Sequence, residues 1–250
     1  MDFKSLTLIG GKNKDGELED FMPLVMERGV LYTIIGDTGS GKSRLIKDIE
    51  QIVNKDSVTR RQVLINGQSI DDLERNEIAK SLIAHLSQNM RFILDTTVEE
   101  FLRLHLICRG KSESLLTKTM DLANEITPER ISLKQDLTTL SGGQTRALMI
   151  ADIANICDSP VVLIDEIENA GINKLKALDT LINHEKLVLM VTHDPHTALM
   201  GQVRLIMQNG QLQAIVSRDD QENGLLRLLD RQYRDQLELH QRLKRGEIVQ

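Results

Sequence analysis

Residues 36–43 read Gly36-Asp37-Thr38-Gly39-Ser40-Gly41-Lys42-Ser43, three glycines ahead of a lysine and a hydroxyl. The pattern G-x-x-x-x-G-K-[ST] suits phosphate chemistry. Glycines leave backbone N–H groups free to wrap a β-phosphate, an approach that side chains would block. Lys42 then supplies a point charge to the β- and γ-phosphates and Ser43 a hydroxyl to Mg²⁺, while the N-terminus of a following helix adds its partial positive charge. In a chain of this length the pattern arises by chance about once in a hundred sequences. An ordinary glycine turn would not also need the apolar run before it and the helical stretch after it. The expected ligand is a nucleoside triphosphate.

A second group of reactive residues closes the run Val161-Val162-Leu163-Ile164-Asp165-Glu166. Four apolar residues suit a buried parallel strand, and ligands of such sheets sit beyond the carboxyl ends. Asp165 can there hold Mg²⁺ through water, and Glu166 can polarise an attacking water as general base. Strands also run out into solvated charge with no function, so it is the phosphate loop upstream that favours the catalytic interpretation.

These residues need a scaffold. Residues 30–35 form a β-branched apolar run ending at Gly36, and residues 43–53 have helical character, giving strand, loop and helix in order. Further strands are expected at residues 63–65, 161–164 and 187–191 with helices between them, so the fold class is α/β with a mainly parallel sheet. Residues 3–9 and 22–26 read as strands, and Asn209-Gly210 marks a hairpin between residues 203–207 and 212–216. Both pairs are expected as antiparallel additions at the sheet edges. Residues 97–135, with Val98, Phe101, Leu102 and His105, have helical periodicity and read as an inserted helical subdomain. In residues 219–245 a stripe of Leu226, Leu229, Tyr233, Leu237 and His240 marks an amphipathic helix, packed on the main domain or offered to a partner.

The bulk properties exclude several classes. The chain has 250 residues, 40% hydrophobic, enough for a full core. A net charge of -6 argues against a broad nucleic-acid-binding face. No apolar run nears the roughly 20 residues that cross a bilayer, and no secretory signal opens the chain, so a soluble protein that stays where it is made is expected. Cys108 and Cys157 lie far apart in apolar surroundings and are expected as buried free thiols of a reducing compartment.

Leu140-Ser141-Gly142-Gly143-Gln144 narrows the field. Ser141 and Gln144 could form a helix capping box, and the two glycines would admit a phosphate. The pentapeptide resembles, letter for letter, the signature of ATP-binding cassette proteins. Gln88, in Leu86-Ser87-Gln88-Asn89, stands where that family has its glutamine loop, and His193, in Val191-Thr192-His193-Asp194, where it has its switch histidine. The five elements follow the family order across residues 30–194.

The resemblance implies a P-loop NTPase core at residues 1–90 and 145–217, a helical subdomain at 91–144 and a C-terminal helix at 218–250. It implies an Mg²⁺-dependent ATPase in which Gln88 contacts Mg²⁺ or the attacking water and His193 bonds the γ-phosphate. Ser141, Gly142, Gly143 and Gln144 would complete the ATP site of a second cassette, head to tail. Nucleotide contacts would run from Gly36 through Arg44.

Some positions depart from the family pattern. Arg44 stands where a threonine is usual, Ile172 replaces the aspartate of the loop after Glu166, and that stretch reads Ile167-Glu168-Asn169-Ala170-Gly171-Ile172. No aromatic aligns clearly with the adenine-stacking residue, and Phe3 is a weak candidate. The resemblance implies a cytoplasmic subunit that energises separate membrane-spanning transporter chains. The alternative is a soluble ATPase that drives assembly or maturation of a protein partner. Only a short helical segment separates Gln88 from Ser141, which disfavours the coiled-coil DNA-repair relatives, and no nucleic-acid partner is expected.

Overall fold

The computed structural model describes residues 2–88, 90–167 and 171–247. A six-stranded sheet carries the site. Its strands are β3 (Leu31–Ile35), β5 (Ile83–Leu86), β6 (Val161–Asp165), β7 (Leu187–Val191), β8 (Val203–Gln208) and β9 (Gln211–Ser217), in the order β5-β6-β7-β3-β8-β9. All neighbours are parallel except β8 and β9, the antiparallel edge hairpin turned at Asn209-Gly210. The near-continuous burial along β3, β6 and β7 reflects cover on both faces.

Alternate residues of one strand serve opposite cores. Val162 and Ile164 join a cluster with Leu102, Ala123, Leu148 and Leu178. These come from α3 (Val98–Cys108), α4 (Ser114–Ile126), α5 (Gly142–Asn155) and α6 (Lys174–Asn183). Val161 and Leu163 join the opposite cluster with Leu6, Ile34, Leu45 and Ile65. That face is covered by α1 (Lys42–Glu50) and by a separate antiparallel sheet, β2-β1-β4, of β1 (Ser5–Ile9), β2 (Leu24–Glu27) and β4 (Gln62–Ile65).

Two strand expectations need correction here. Residues 63–65 belong to β4, which pairs antiparallel with β1 and not with the parallel sheet. The opening strands build this second sheet rather than edging the first. A third strand, β5, was not anticipated from its sequence Ile-Ala-His-Leu, which is short and lacks a β-branched run. Parallel pairing with β6 stabilises it.

The two sheets are tied beside the phosphate loop by a buried ion cluster. Arg61 bridges Glu19 at 2.7 Å and Asp48 at 3.2 Å, all three side chains fully buried, and also donates to the Gly210 carbonyl. Asp48 lies on α1, so the cluster fixes the helix that leaves the phosphate loop against the β8–β9 turn.

The segment between β5 and β6 is helical, as its periodicity indicates. Thr97 and Glu100 form a capping box that starts α3. α2 (Arg75–Leu82) precedes β5, and α7 (Pro195–Met200) follows β7. The last helix, α8 (Asp220–Lys244), rests on α7 with Leu226, Leu229, Tyr233 and Leu237 half-buried, but His240 is exposed and no residue of α8 is fully buried. Cys157 is buried, whereas Cys108 is exposed, because it ends α3 on the side away from the core. No helix among the described residues is long and apolar enough to cross a membrane.

Candidate functional site

The phosphate loop joins β3 to α1, and its glycines are required by geometry. Gly36 has φ 149°, and a Cβ there would lie 2.2 Å from the Met207 carbonyl oxygen. Gly41 has φ 106° and faces Gly210 so closely that a Cβ would approach its Cα to 3.0 Å. The first turn of α1 has no side-chain cap, so its N–H groups are open to an anion. Ser40 Oγ is buried without a hydrogen-bond partner among the described residues.

Lys42 is buried, and its ammonium folds back onto the loop, donating to the carbonyls of Gly36 at 2.7 Å and Asp37 at 2.9 Å. Burial pulls the Lys42 pKa below the usual lysine range, opposed by the negative charges of Glu166, Asp37 and Asp165. The acidic strand end therefore faces the loop lysine across the carboxyl edge of the sheet. The uncapped N–H donors of α1, the buried Ser40 hydroxyl and the Lys42 ammonium within the loop fit a polyphosphate. Ser43 is exposed at the start of α1, next to Lys42, and Thr38 and Gly39 are exposed at the loop's crest. Arg44 instead turns back along α1 to pair with Asp48 at 3.0 Å.

Three of the expected reactive side chains meet at one point. Gln88 Nε2 donates to Glu166 Oε2 at 2.6 Å, and His193 Nε2 lies 3.6 Å from Glu166 Oε1. They arrive on separate strands: Gln88 follows β5, Glu166 follows β6 and His193 follows β7, three neighbours in the sheet. Glu166 takes φ 50°, a left-handed conformation that costs a non-glycine residue roughly 1–3 kcal/mol and concentrates at functional sites. Its carboxylate meets Gln88 and His193, and its charge acts on Lys42.

The signature segment does not join this cluster. Ser141 caps α5, its hydroxyl accepting from Gln144 N at 3.2 Å while Gln144 Oε1 accepts from Ser141 N at 2.9 Å. The same hydroxyl donates to the Glu129 carboxylate at 2.6 Å. A Cβ on Gly142 would meet nothing within 4 Å, so packing inside the chain does not call for a glycine there. Gly143 is the second residue of this helix, half-buried beside it.

The sequence profile of the ABC transporter family matches residues 21–169. The chain belongs to this family. It is 44% identical over 248 residues to an uncharacterized ABC transporter ATP-binding protein, MJ0121, of Methanocaldococcus jannaschii, covering 99% of this chain and 95% of that protein. Among solved structures, the ATP-binding subunit of an ABC transporter superposes with a TM-score of 0.68 at 25% identity, covering 92% of this chain and 98% of that one. A dimeric cassette, MJ0796, bound to ADP and Pi in a post-hydrolysis state, shares the fold with a TM-score of 0.63 at 24% identity, over 86% of this chain and 99% of that one. As an ABC cassette, this chain binds and hydrolyses ATP.

Two features of the cassette differ from what the sequence suggested. Phe3, the weak candidate for stacking on adenine, is 4% exposed and packed in the core beside β1. A functional residue was also missed. Arg146, buried on α5, donates to the carbonyls of Glu166 at 2.7 Å, Gln88 and, at 3.4 Å, Ser87. One guanidinium thus gathers the backbone of both the glutamine loop and the Glu166 turn. Its position two residues after Gln144 was the available signal, but an arginine in a helix does not announce which carbonyls it will meet. Of the loop after Glu166, residues 168–170 lie outside the described residues, as does Asn89; Ile172 is buried.

Proposed function

We propose that this chain binds MgATP between its phosphate loop and the Gln88, Glu166 and His193 cluster, and hydrolyses it as half of a head-to-tail pair of cassettes. The convergence of those three side chains beside Lys42 is the observation that carries the proposal. In it, Lys42 neutralises the β- and γ-phosphates and the loop N–H groups, with Gly36, Asp37, Thr38, Gly39, Ser40 and Gly41, hold the polyphosphate. Ser43, Gln88 and Asp165, the last through water, would hold Mg²⁺, which when bound would offset charge on the transferred phosphoryl group. Glu166 orients and deprotonates the attacking water, and His193 contacts the γ-phosphate.

Ser141 offers a hydroxyl that already donates to a carboxylate, and Gly142 leaves open backbone beside it. Both suit a phosphate brought by a second cassette. The wider role proposed is that of a cytoplasmic subunit, peripheral to the inner membrane face, energising a transporter whose spanning chains are separate. Large apolar side chains exposed on the helical insertion, Ile93 at 93%, Leu104 at 57% and Ile107 at 76%, support a protein partner on that side.

The test uses Glu166→Gln, which should retain MgATP while turning over about 10²- to 10⁴-fold more slowly. Light scattering should show that this variant dimerises on adding ATP and that Glu166→Gln, Ser141→Arg does not. A double variant that still dimerises would leave Ser141 as a helix cap alone. Copurification of integral membrane chains from gently solubilised membranes supports the transporter role, and a soluble enzyme in their place overturns it.

A further inference from the structure

The loops that leave β6 and β7 carry Glu166 and His193, and they run side by side because the strands pair up to Asp165 and Val191. One buried side chain joins them. Lys174 opens α6, eight residues after Glu166, with its side chain only 8% exposed. Its ammonium donates to Asp194 Oδ2 at 2.5 Å and to Thr197 Oγ1 at 2.9 Å. Asp194 directly follows His193 and caps α7 through Thr197 N at 2.9 Å. A buried cation at the first position of a helix opposes the helix dipole, so stabilising α6 does not explain it.

The last helix completes the arrangement from outside. Tyr233 of α8 holds its ring 4.7 Å from the Lys174 ammonium, donates its hydroxyl to the Ile172 carbonyl at 3.4 Å and accepts from Lys174 N at 3.4 Å. Asp230 of the same helix bonds His196 at 2.8 Å. Ile172 stands in the loop after Glu166, and His196 follows His193 by three residues.

We propose that Lys174 is a positioning residue for hydrolysis: by tying the start of α6 to Asp194, and by being held itself against Tyr233 of α8, it fixes His193 relative to Glu166. This rests on the roles proposed above for those two residues. Burial alone would raise the Asp194 carboxyl, but the hydrogen bonds from Lys174 and Thr197 outweigh it and hold the group at about 2. Asp194 therefore stays ionised throughout the neutral range, and its bond from Lys174 acts as a strut. Loss of the ammonium loosens the His193 loop, while the phosphate loop keeps its own bonds from Lys42 to the Gly36 and Asp37 carbonyls. Turnover should suffer while MgATP binding does not.

The experiment is a double-variant cycle on the full chain, measuring kcat, KM and MgATP affinity. Lys174→Met should lower kcat about tenfold or more with MgATP affinity within about threefold of wild type, and in a His193→Ala background it should cause no further loss. Asp194→Asn, which can keep the helix cap, should show the same dependence on His193 and serves if Lys174→Met folds poorly. Turnover within about twofold of wild type for both variants, or an equal fold-loss with and without His193, overturns the proposal. Wild-type turnover in His193→Ala alone would instead overturn the assignment of His193, so the two failures are distinguishable.

Discussion

Replacing Arg146 with Met tests whether the buried guanidinium holds the catalytic backbone in place. The stem volume is kept, while the charge-assisted bonds to the Glu166 and Gln88 carbonyls are lost. Such bonds contribute roughly 1.5–3 kcal/mol each, so the gross loss is about 3–6 kcal/mol. Removing a buried charge recovers part of this as desolvation relieved, leaving a net destabilisation of about 2–4 kcal/mol. For a chain of this size that corresponds to roughly 4–16 °C in Tm. The effect on activity follows from Glu166, whose φ of 50° is sustained by Arg146 at its carbonyl and by Val191, which accepts from its N–H at 3.1 Å. With one of the two restraints gone, the turn relaxes and the carboxylate drifts from Gln88 and His193. Turnover should fall about a hundredfold, the scale of a displaced general base, with MgATP affinity retained. Thermal unfolding with parallel ATPase and nucleotide-binding assays measures all three quantities. A variant whose Tm lies within about 2 °C of wild type and whose turnover lies within about threefold would refute this account of Arg146.

Lys42→Ala should weaken MgATP binding and abolish hydrolysis, because its buried ammonium lies within the phosphate loop, bonded to the Gly36 and Asp37 carbonyls; wild-type affinity by calorimetry would contradict this. Arg61→Met strands the buried carboxylates of Glu19 and Asp48, so urea unfolding should show a loss of about 3–5 kcal/mol, and a loss below about 1 would show the cluster to be dispensable. Asp194 has a folded pKa of about 2 against 3.8 unperturbed, so its contribution to stability is present above about pH 4 and is lost as pH falls toward 2. Circular dichroism between those values should show Asp194→Asn losing stability less steeply than wild type, and parallel curves would exclude the effect.

The local elements were legible because consecutive residues encode them. Gly36 to Ser43 carries its own backbone requirements, the apolar run of β6 carries its burial, and Ser141 with Gln144 carries a reciprocal cap, each within one turn or strand. The order of Gln88, Ser141, Glu166 and His193 along the chain could be read too, since it needs only a linear match. What the sequence could not supply was who meets whom across the fold. Residues 63–65 look like any buried strand, and only packing of the β1 sheet over α1 assigns β4 an antiparallel partner. Phe3 is a weak adenine-stacking candidate by sequence and Cys108 an expected buried thiol, but the faces of the elements that carry them bury the first and expose the second. The parts played by Arg61, Arg146 and Lys174 are not legible in the sequence, because a cation's role depends on partners 42, 58 and 20 positions away. Those partners arrive only when the sheet forms and places β5, β6 and β7 side by side, which turns three separated loops into one site and turns buried cations into its supports.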